Sequence, residues 1–259
     1  MTNNKNNETF DKPLKGILKL KYKIVVRTGL HIGGSKESIE IGGIDNIVIK
    51  IPVYKVEGKE YRNVPYIPGS SLKGKIRALL EWVEKPVEEN HKPIAIAKNG
   101  EPCNCGKCNV CKLFGAHKAK NPTQPIRLRI DDFYPTQDTL DMWENILEGV
   151  YTELKSENTI DRIKGTASNP RHTERVIPNS EFRGYITVKI FEGDTYENTV
   201  AILEKGIKML EDDYLGGNGS RGYGRVGLFP VEIEWKSIEN YQPEKISFEK
   251  IKEKVFGEK

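Results

Sequence analysis

The stretch that most limits what this chain can fold into is Gly216-Gly217-Asn218-Gly219-Ser220-Arg221-Gly222-Tyr223-Gly224-Arg225-Val226-Gly227, with six glycines and two arginines in twelve residues. Glycine adopts φ > 0 at little cost and lets another backbone come close, so this segment is an irregular loop that lies flat against something. Its two guanidiniums favour an anion. Gly217-x-Gly219-x-x-Gly222 also matches the dinucleotide fingerprint, which needs a strand before it and a helix after it. The order here is reversed. Leu203, Ile207, Leu210 and Tyr214 recur at helical spacing upstream, and residues 227–235 end in strand alternation downstream. An extended polyanion is the favoured ligand, and a loop that merely needs tight turns is the alternative.

The 259 residues allow one large core or two modest ones, and a single elaborated domain is expected. A net charge of +4 permits nucleic acid without requiring it. No apolar run is long enough to span a membrane, and Met1 to Lys15 is polar with no signal core, so a cytoplasmic protein with no membrane partner is expected.

Leu18, Leu20, Tyr22, Ile24 and Val26 alternate with Lys19, Lys21, Lys23, Val25 and Arg27 as a first strand. A glycine-rich loop through Gly33, Gly34, Gly42 and Gly43 follows. Leu72, Ile76, Leu79, Leu80 and Val83 mark one face of a helix with Ser70 or Ser71 placed to cap it. Lys73 and Arg77 stand four apart on another face. Cap, dipole and cations together suit a phosphate, although a solvated amphipathic helix carries the same residues. The string is not a Walker A loop, because Gly74-Lys75 is followed by Ile76. Further strands are expected at Ile126 to Ile130, at Tyr185 to Phe191 and up to Trp235, with a helix capped by Asn198 running through Leu210. The tail to Lys259 reads as a charged, peripheral helix.

The resulting order, β-α-β-β-α-β, is the α+β ferredoxin-like arrangement also used by RNA recognition modules. Residues 16–84, 126–134 and 184–236 would form that core. Insertions at 85–125 and 135–183 and a tail at 237–259 complete the chain. The aromatic stacking motifs of an RNA recognition module are missing from the first and third strands, so any RNA would be gripped by loops.

All four cysteines, Cys103, Cys105, Cys108 and Cys111, fall within nine residues. They supply enough thiolates for a closed tetrahedral zinc site, with His91 and His117 in reserve, and an iron-sulfur cluster is the competitor. A closed site has no open position, so its expected role is to fold an insertion that lacks its own core. Asp45 sits beside Gly42 and Gly43 with no local cation; it reads either as a turn-forming acid or as a Mg²⁺ ligand completed by substrate phosphates. His31 is either structural or a proton-transfer group. Glu153 to Ile163 and Asn169 to Pro178 are charged arms around a turn-rich centre, as in an exposed hairpin.

Taken together, Thr28-Gly29-Leu30-His31-Ile32-Gly33-Gly34, Ile44-Asp45, Ile67-Pro68-Gly69-Ser70-Ser71-Leu72-Lys73-Gly74-Lys75-Ile76-Arg77, Leu113-Phe114-Gly115, Glu157-Asn158-Thr159-Ile160-Asp161-Arg162, Glu174-Arg175 and Asp213-Tyr214-Leu215-Gly216-Gly217 through Gly224 resemble one family. It is the repeated backbone subunit of the type III-A CRISPR (Csm) effector complex, of the RAMP superfamily. The resemblance implies a ferredoxin-like core with a lid at 85–125 and a β-hairpin thumb within 135–183, stacked in copies along a guide RNA as a helical filament with other Csm subunits. It implies cleavage of complementary target RNA at Asp45 with Mg²⁺ or Mn²⁺, through attack by the neighbouring ribose 2′-hydroxyl, which DNA lacks. It also implies RNA contacts from His31, Ser70, Ser71, Lys73, Lys75, Arg77, Gly217, Gly219, Ser220 and Arg221. The four-cysteine insertion and the long polar N-terminus depart from many relatives. A guide-binding subunit that does not cut, and a stand-alone RAMP that processes guide precursors, are the alternative functions.

Overall fold

The computed structural model describes residues 10–34, 46–83, 100–118 and 124–258. In chain order its main elements are β1 (Leu14–Val26), β2 (Lys50–Val56), β3 (Lys59–Pro65), α1 (Gly69–Val83), α2 (Asn109–Phe114), β4 (Leu128–Ile130), β5 (Tyr134–Pro135) and α3 (Gln137–Asp141). They continue with β6 (Thr152–Ile160), β7 (Ala167–Val176), β8 (Glu181–Phe191), α4 (Val200–Asp212), β9 (Val226–Ser237) and β10 (Pro243–Lys245).

The alternation of β1 makes it the central strand. Leu18, Leu20, Tyr22, Ile24 and Val26 are buried on one face, and by the two-residue period Lys19, Lys21 and Lys23 lie on the other. β1 pairs antiparallel with β8 and β9, Leu20 standing opposite Ile186 and Ile233. The sheet order is β10-β9-β1-β8-β4, with β5 also on β8.

Helices α1 and α4 cover the apolar face. Leu72, Ile76 and Leu80 of α1 join Leu203, Ile207 and Leu210 of α4 in the same core as β1. Each such side chain contributes about 1.5–3 kcal/mol of burial. Close approach of the two helices requires Gly206, where a Cβ would stand 2.6 Å from Cγ2 of Ile76.

Several local expectations are corrected. α1 begins at Gly69, whose amide donates to Asp132 Oδ1 at 2.8 Å, so neither Ser70 nor Ser71 caps it. Asn198 does not cap α4; its Oδ1 accepts from the Thr195 amide, and Thr199 stands at the cap position. The strand expected from Ile126 begins at Leu128. The tail expected as a peripheral helix is helical only over its last part, in short turns at Phe248–Lys250 and Lys252–Phe256 that bury Ile251 and Val255, and before them β10 pairs with β9 at the edge of the sheet. Sequence reading also passed over the β2/β3 hairpin, which turns through Glu57 and Gly58, both at positive φ. The two charged arms pair as the β6/β7 hairpin. No helix among the described residues is long and apolar enough to cross a membrane.

Candidate functional site

Three loops meet at the root of the β6/β7 hairpin. After β1, residues 32–34 pair with 47–49: the Gly34 amide donates to the Ile47 carbonyl at 3.1 Å, and the Ile49 amide to the Ile32 carbonyl at 2.8 Å. This closes the base of the loop that carries Asp45, which itself lies outside the described residues. Asn46, the next residue, bridges Thr173 of β7, and its carbonyl accepts from the Glu174 amide at 3.0 Å. The far end of the loop is therefore fastened to the hairpin.

Glu174 organises this junction. Its buried carboxylate accepts from the Val48 amide at 2.8 Å, from Lys50 Nζ at 2.5 Å and from Thr152 Oγ1 at 2.7 Å. Burial by itself would raise its pKa, but the hydrogen bonds from Lys50, Thr152 and Val48 outweigh burial and hold it below the usual carboxylate range. The Glu174 carbonyl lies 2.7 Å from His31 Nδ1. A carbonyl can only accept, so Nδ1 carries the hydrogen and Nε2 is left as the ring's free lone pair in the neutral form. Sequence reading gave no role to Glu174, Lys50 or Thr152. A glutamate beside an arginine in a charged strand has no local signal of burial.

The glycine loop closes over the same place. The Gly217 amide donates to the His31 carbonyl at 2.8 Å, and Gly216, at φ +80°, leaves no room for a Cβ, which would stand 2.2 Å from that oxygen. Beyond it, Arg221 pairs with Glu157 of β6 at 2.7 Å, and Lys155 Nζ donates to the Arg221 carbonyl at 3.2 Å. Tyr223 is buried beneath Lys155 and Arg175, whose charges lie 4.5 and 5.1 Å from its ring centroid. On the other flank, Lys75 of α1 pairs with Asp213 at 2.7 Å and lies over Tyr214, against which Gly219 packs. Lys75, Gly217, Gly219 and Arg221 thus gather around the buried His31, next to the base of the Asp45 loop. Ser220 is exposed in the same loop, and Ser70 is exposed on the first turn of α1.

Lys73 and Arg77 are directed elsewhere. Lys73 Nζ donates to the Leu128 carbonyl of β4 at 3.2 Å, and burial, with Arg77 nearby, lowers its pKa. Arg77 reaches Glu81 and the Cys103 carbonyl, away from the glycine loop. Ser71 is half-buried, its amide bonded to the Pro68 carbonyl at 3.0 Å.

The cysteine knot lies on that other side. All four sulfurs fall within 4.8 Å of one another, with Cys103 to Cys108 at 3.8 Å and Cys105 to Cys111 at 3.9 Å. Four thiolates around one tetrahedral ion with metal–sulfur bonds of about 2.3 Å stand about 3.8 Å apart, so the donor set fits a metal. Amides of Cys108 and Lys107 point at the Cys105 sulfur, and the Cys111 amide at the Cys108 sulfur. Hydrogen bonds from Cys103 and Cys108 hold Cys111 down toward its thiolate. The reserve ligand His91 lies outside the described residues, and His117 is not part of the cluster.

The RAMP superfamily pattern matches residues 23–227. A protein of Methanothermobacter thermautotrophicus named CRISPR system Cms endoribonuclease Csm3 is 41% identical over 237 residues, covering 86% of this chain and 87% of the relative. A protein of the same name from Methanocaldococcus jannaschii is 41% identical over 231 residues, covering 88% and 85%. The crystal structure of a Csm3-Csm4 subcomplex in the type III-A CRISPR-Cas interference complex matches with a TM-score of 0.54 at 28% identity, over 95% of this chain and 97% of that one. The chain belongs to the RAMP superfamily, in the family of the Csm3 proteins.

Proposed function

We propose that this chain is a guide-RNA-binding backbone subunit of a type III-A CRISPR effector complex and cleaves target RNA complementary to the guide. The observation that carries the reading is the junction at Glu174, which fastens the loop bearing Asp45 to the root of a protruding hairpin. The curated relatives are named endoribonucleases, which supports the activity. Copies of the chain would stack along the guide with other Csm subunits, and base pairing would read sequence while the protein holds backbone and shape.

The fold supports the same reading. With β2/β3, α2, α3 and β6/β7 set aside, β1, α1, β4, β8, α4 and β9 follow the order of a ferredoxin-like core, and its strands pair as β9-β1-β8-β4. In this reading the β6/β7 hairpin is the thumb and the cysteine knot the lid. The guide backbone passes along Ser70, Lys75, His31 and the glycine loop at Gly217, Gly219, Ser220 and Arg221. Lys73, Arg77 and Ser71 support this groove from behind.

Asp45 is the proposed catalytic residue. Cleavage forms a bond from the ribose 2′-oxygen to phosphorus and breaks the bond from phosphorus to the 5′-oxygen, leaving a cyclic phosphate and a 5′-hydroxyl. Mg²⁺ or Mn²⁺ held by Asp45 and RNA phosphate would offset the charge gathering on the phosphoryl oxygens. The chain's own contribution is position: Glu174 fixes the loop end, and the hairpin beside it can separate the target at the cut. Zinc is the ion proposed for the four cysteines, where it would fold the lid.

The test is reconstitution of the full complex with guide and complementary RNA. Asp45→Ala is expected to abolish cutting while assembly and guide length stay unchanged. Normal cleavage by the assembled variant would overturn the catalytic assignment, and a wild-type complex that holds target without cutting would make the chain a non-catalytic scaffold.

A further inference from the structure

We infer that Arg77 and Glu81 are positioning residues of the metal knot, holding Cys103 by both of its backbone polar groups so that its sulfur is set in place before a metal arrives. The inference rests on reading the four cysteines as metal ligands. Glu81 Oε1 accepts the Cys103 amide at 3.0 Å and Arg77 Nε at 2.8 Å, and Arg77 Nη2 donates to the Cys103 carbonyl at 2.7 Å. The three groups form a closed ring of hydrogen bonds between α1 and the knot.

The pair is not the solvated ion pair that its spacing of four residues on a helix suggests. The side chains of Arg77 and Glu81 are only 15% and 5% exposed. A buried pair is costly unless further hydrogen bonds compensate it, and here the Cys103 carbonyl takes one donor of Arg77 while the Cys103 amide donates to Glu81. The rest of the knot is ordered locally. The Cys105 and Cys108 sulfurs receive amides from their own turn, and Cys108 and Cys111 are joined by the start of α2. Cys103 lies in an irregular segment before that turn, and α1 holds its backbone from outside the knot. The Cys103 carbonyl also accepts from the His117 amide at 3.2 Å, so the same clasp gathers both ends of the knot.

Removing an outer group that orients a metal ligand commonly changes affinity by about 10–100-fold. Arg77 is suited to this by its planar fork, which reaches Glu81 and the carbonyl at once; a lysine offers a single point charge. The residue therefore links the helix that begins in the proposed RNA groove to the lid.

The test uses the full-length chain loaded with Zn²⁺ and challenged with a chromophoric chelator, with Co²⁺-substituted protein reporting thiolate ligation by its absorbance. Arg77→Ala is expected to release metal about 10–100-fold faster, and Glu81→Gln, which keeps shape and an acceptor oxygen, to release it faster by a smaller factor. Arg77→Lys should not restore the wild-type rate. Wild-type release rates in both Arg77→Ala and Glu81→Gln would overturn the inference. So would an equal loss of thermal stability in metal-free and metal-loaded forms, which marks an interaction that only holds the fold. If Arg77→Ala does not fold, the Glu81→Gln rate decides. A wild-type chain that binds no metal would instead overturn the metal reading on which the inference rests.

Discussion

His31 donates from Nδ1 to the backbone carbonyl of Glu174 at 2.7 Å, across 143 residues of sequence. The bond ties the first loop after β1 to the root of the hairpin, and the Glu174 carboxylate ties the same root to Val48, Lys50 and Thr152. The residues that follow Asp45 are therefore held by a side chain with no chemistry of its own in the proposed reaction.

Glu174→Ala should lower target cleavage at least tenfold in the assembled complex while guide binding changes little. It leaves the Val48 amide and Lys50 without their acceptor, and each buried donor so orphaned costs about 1–3 kcal/mol, less for the partly exposed lysine. Cleavage assays beside a thermal unfolding curve check both parts. Full cleavage by the variant would remove Glu174 from any positioning role.

The same carboxylate gives a pH signature. Its pKa is lower in the folded protein than in the unfolded chain, so its stabilisation is complete above the ordinary glutamate value of about 4.3 and is lost as pH falls through the lower folded value. An acid titration of stability should therefore be less steep below about pH 4.3 for Glu174→Gln than for wild type.

Gly216→Ala tests the glycine loop. Gly216 is at φ +80° and a Cβ there would stand 2.2 Å from the His31 carbonyl, whereas Gly58 has the same φ with open space around it. Gly58→Ala should cost about 1 kcal/mol from backbone strain alone. Gly216→Ala should cost distinctly more and also weaken guide RNA binding; equal costs would show that the loop tolerates displacement.

Salt dependence separates groove cations from buried ones. For single-stranded RNA, removing one cation that neutralises a phosphate should reduce the slope of log affinity against log salt by about 0.7. Lys75→Ala and Arg221→Ala are expected to show this reduction. Lys73→Ala, whose ammonium is spent on the Leu128 carbonyl, should leave the slope close to wild type.

Metal removal should act on the lid and not on the sheet. Elemental analysis is expected to find one zinc per chain and no iron. After chelation, hydrogen exchange should accelerate across residues 103–114 and remain slow in β1 and β8. Faster exchange in the central sheet would mean that the knot supports the whole fold.

Legibility in the sequence followed the range of the interaction. The alternation from Leu18 to Val26 and the spacing of Leu72, Ile76 and Leu80 announced β1 and α1, because burial on one face imposes a period that neighbouring residues carry. The hairpin β2/β3 escaped because Glu57-Gly58 is a weaker turn signal than Asn-Gly and Val53 is exposed. The helical turns of the tail carry a local signal, but the burial of Ile251 and Val255 does not, because it depends on a surface built by distant strands.

By itself the sequence determined the cysteine knot, the glycine-rich loops, the helical and strand periods and the family, since all of these reside in the identity and spacing of nearby residues. Only the tertiary structure decided which charges lie beside the glycine loop. Lys75 and Arg77 stand two positions apart on one helix, yet Lys75 joins Asp213 and Tyr214 beside the glycine loop while Arg77 joins Glu81 and Cys103 at the knot. The physical reason is that neighbouring helical positions point in different directions, and a long cationic side chain takes the partner that folding brings within reach.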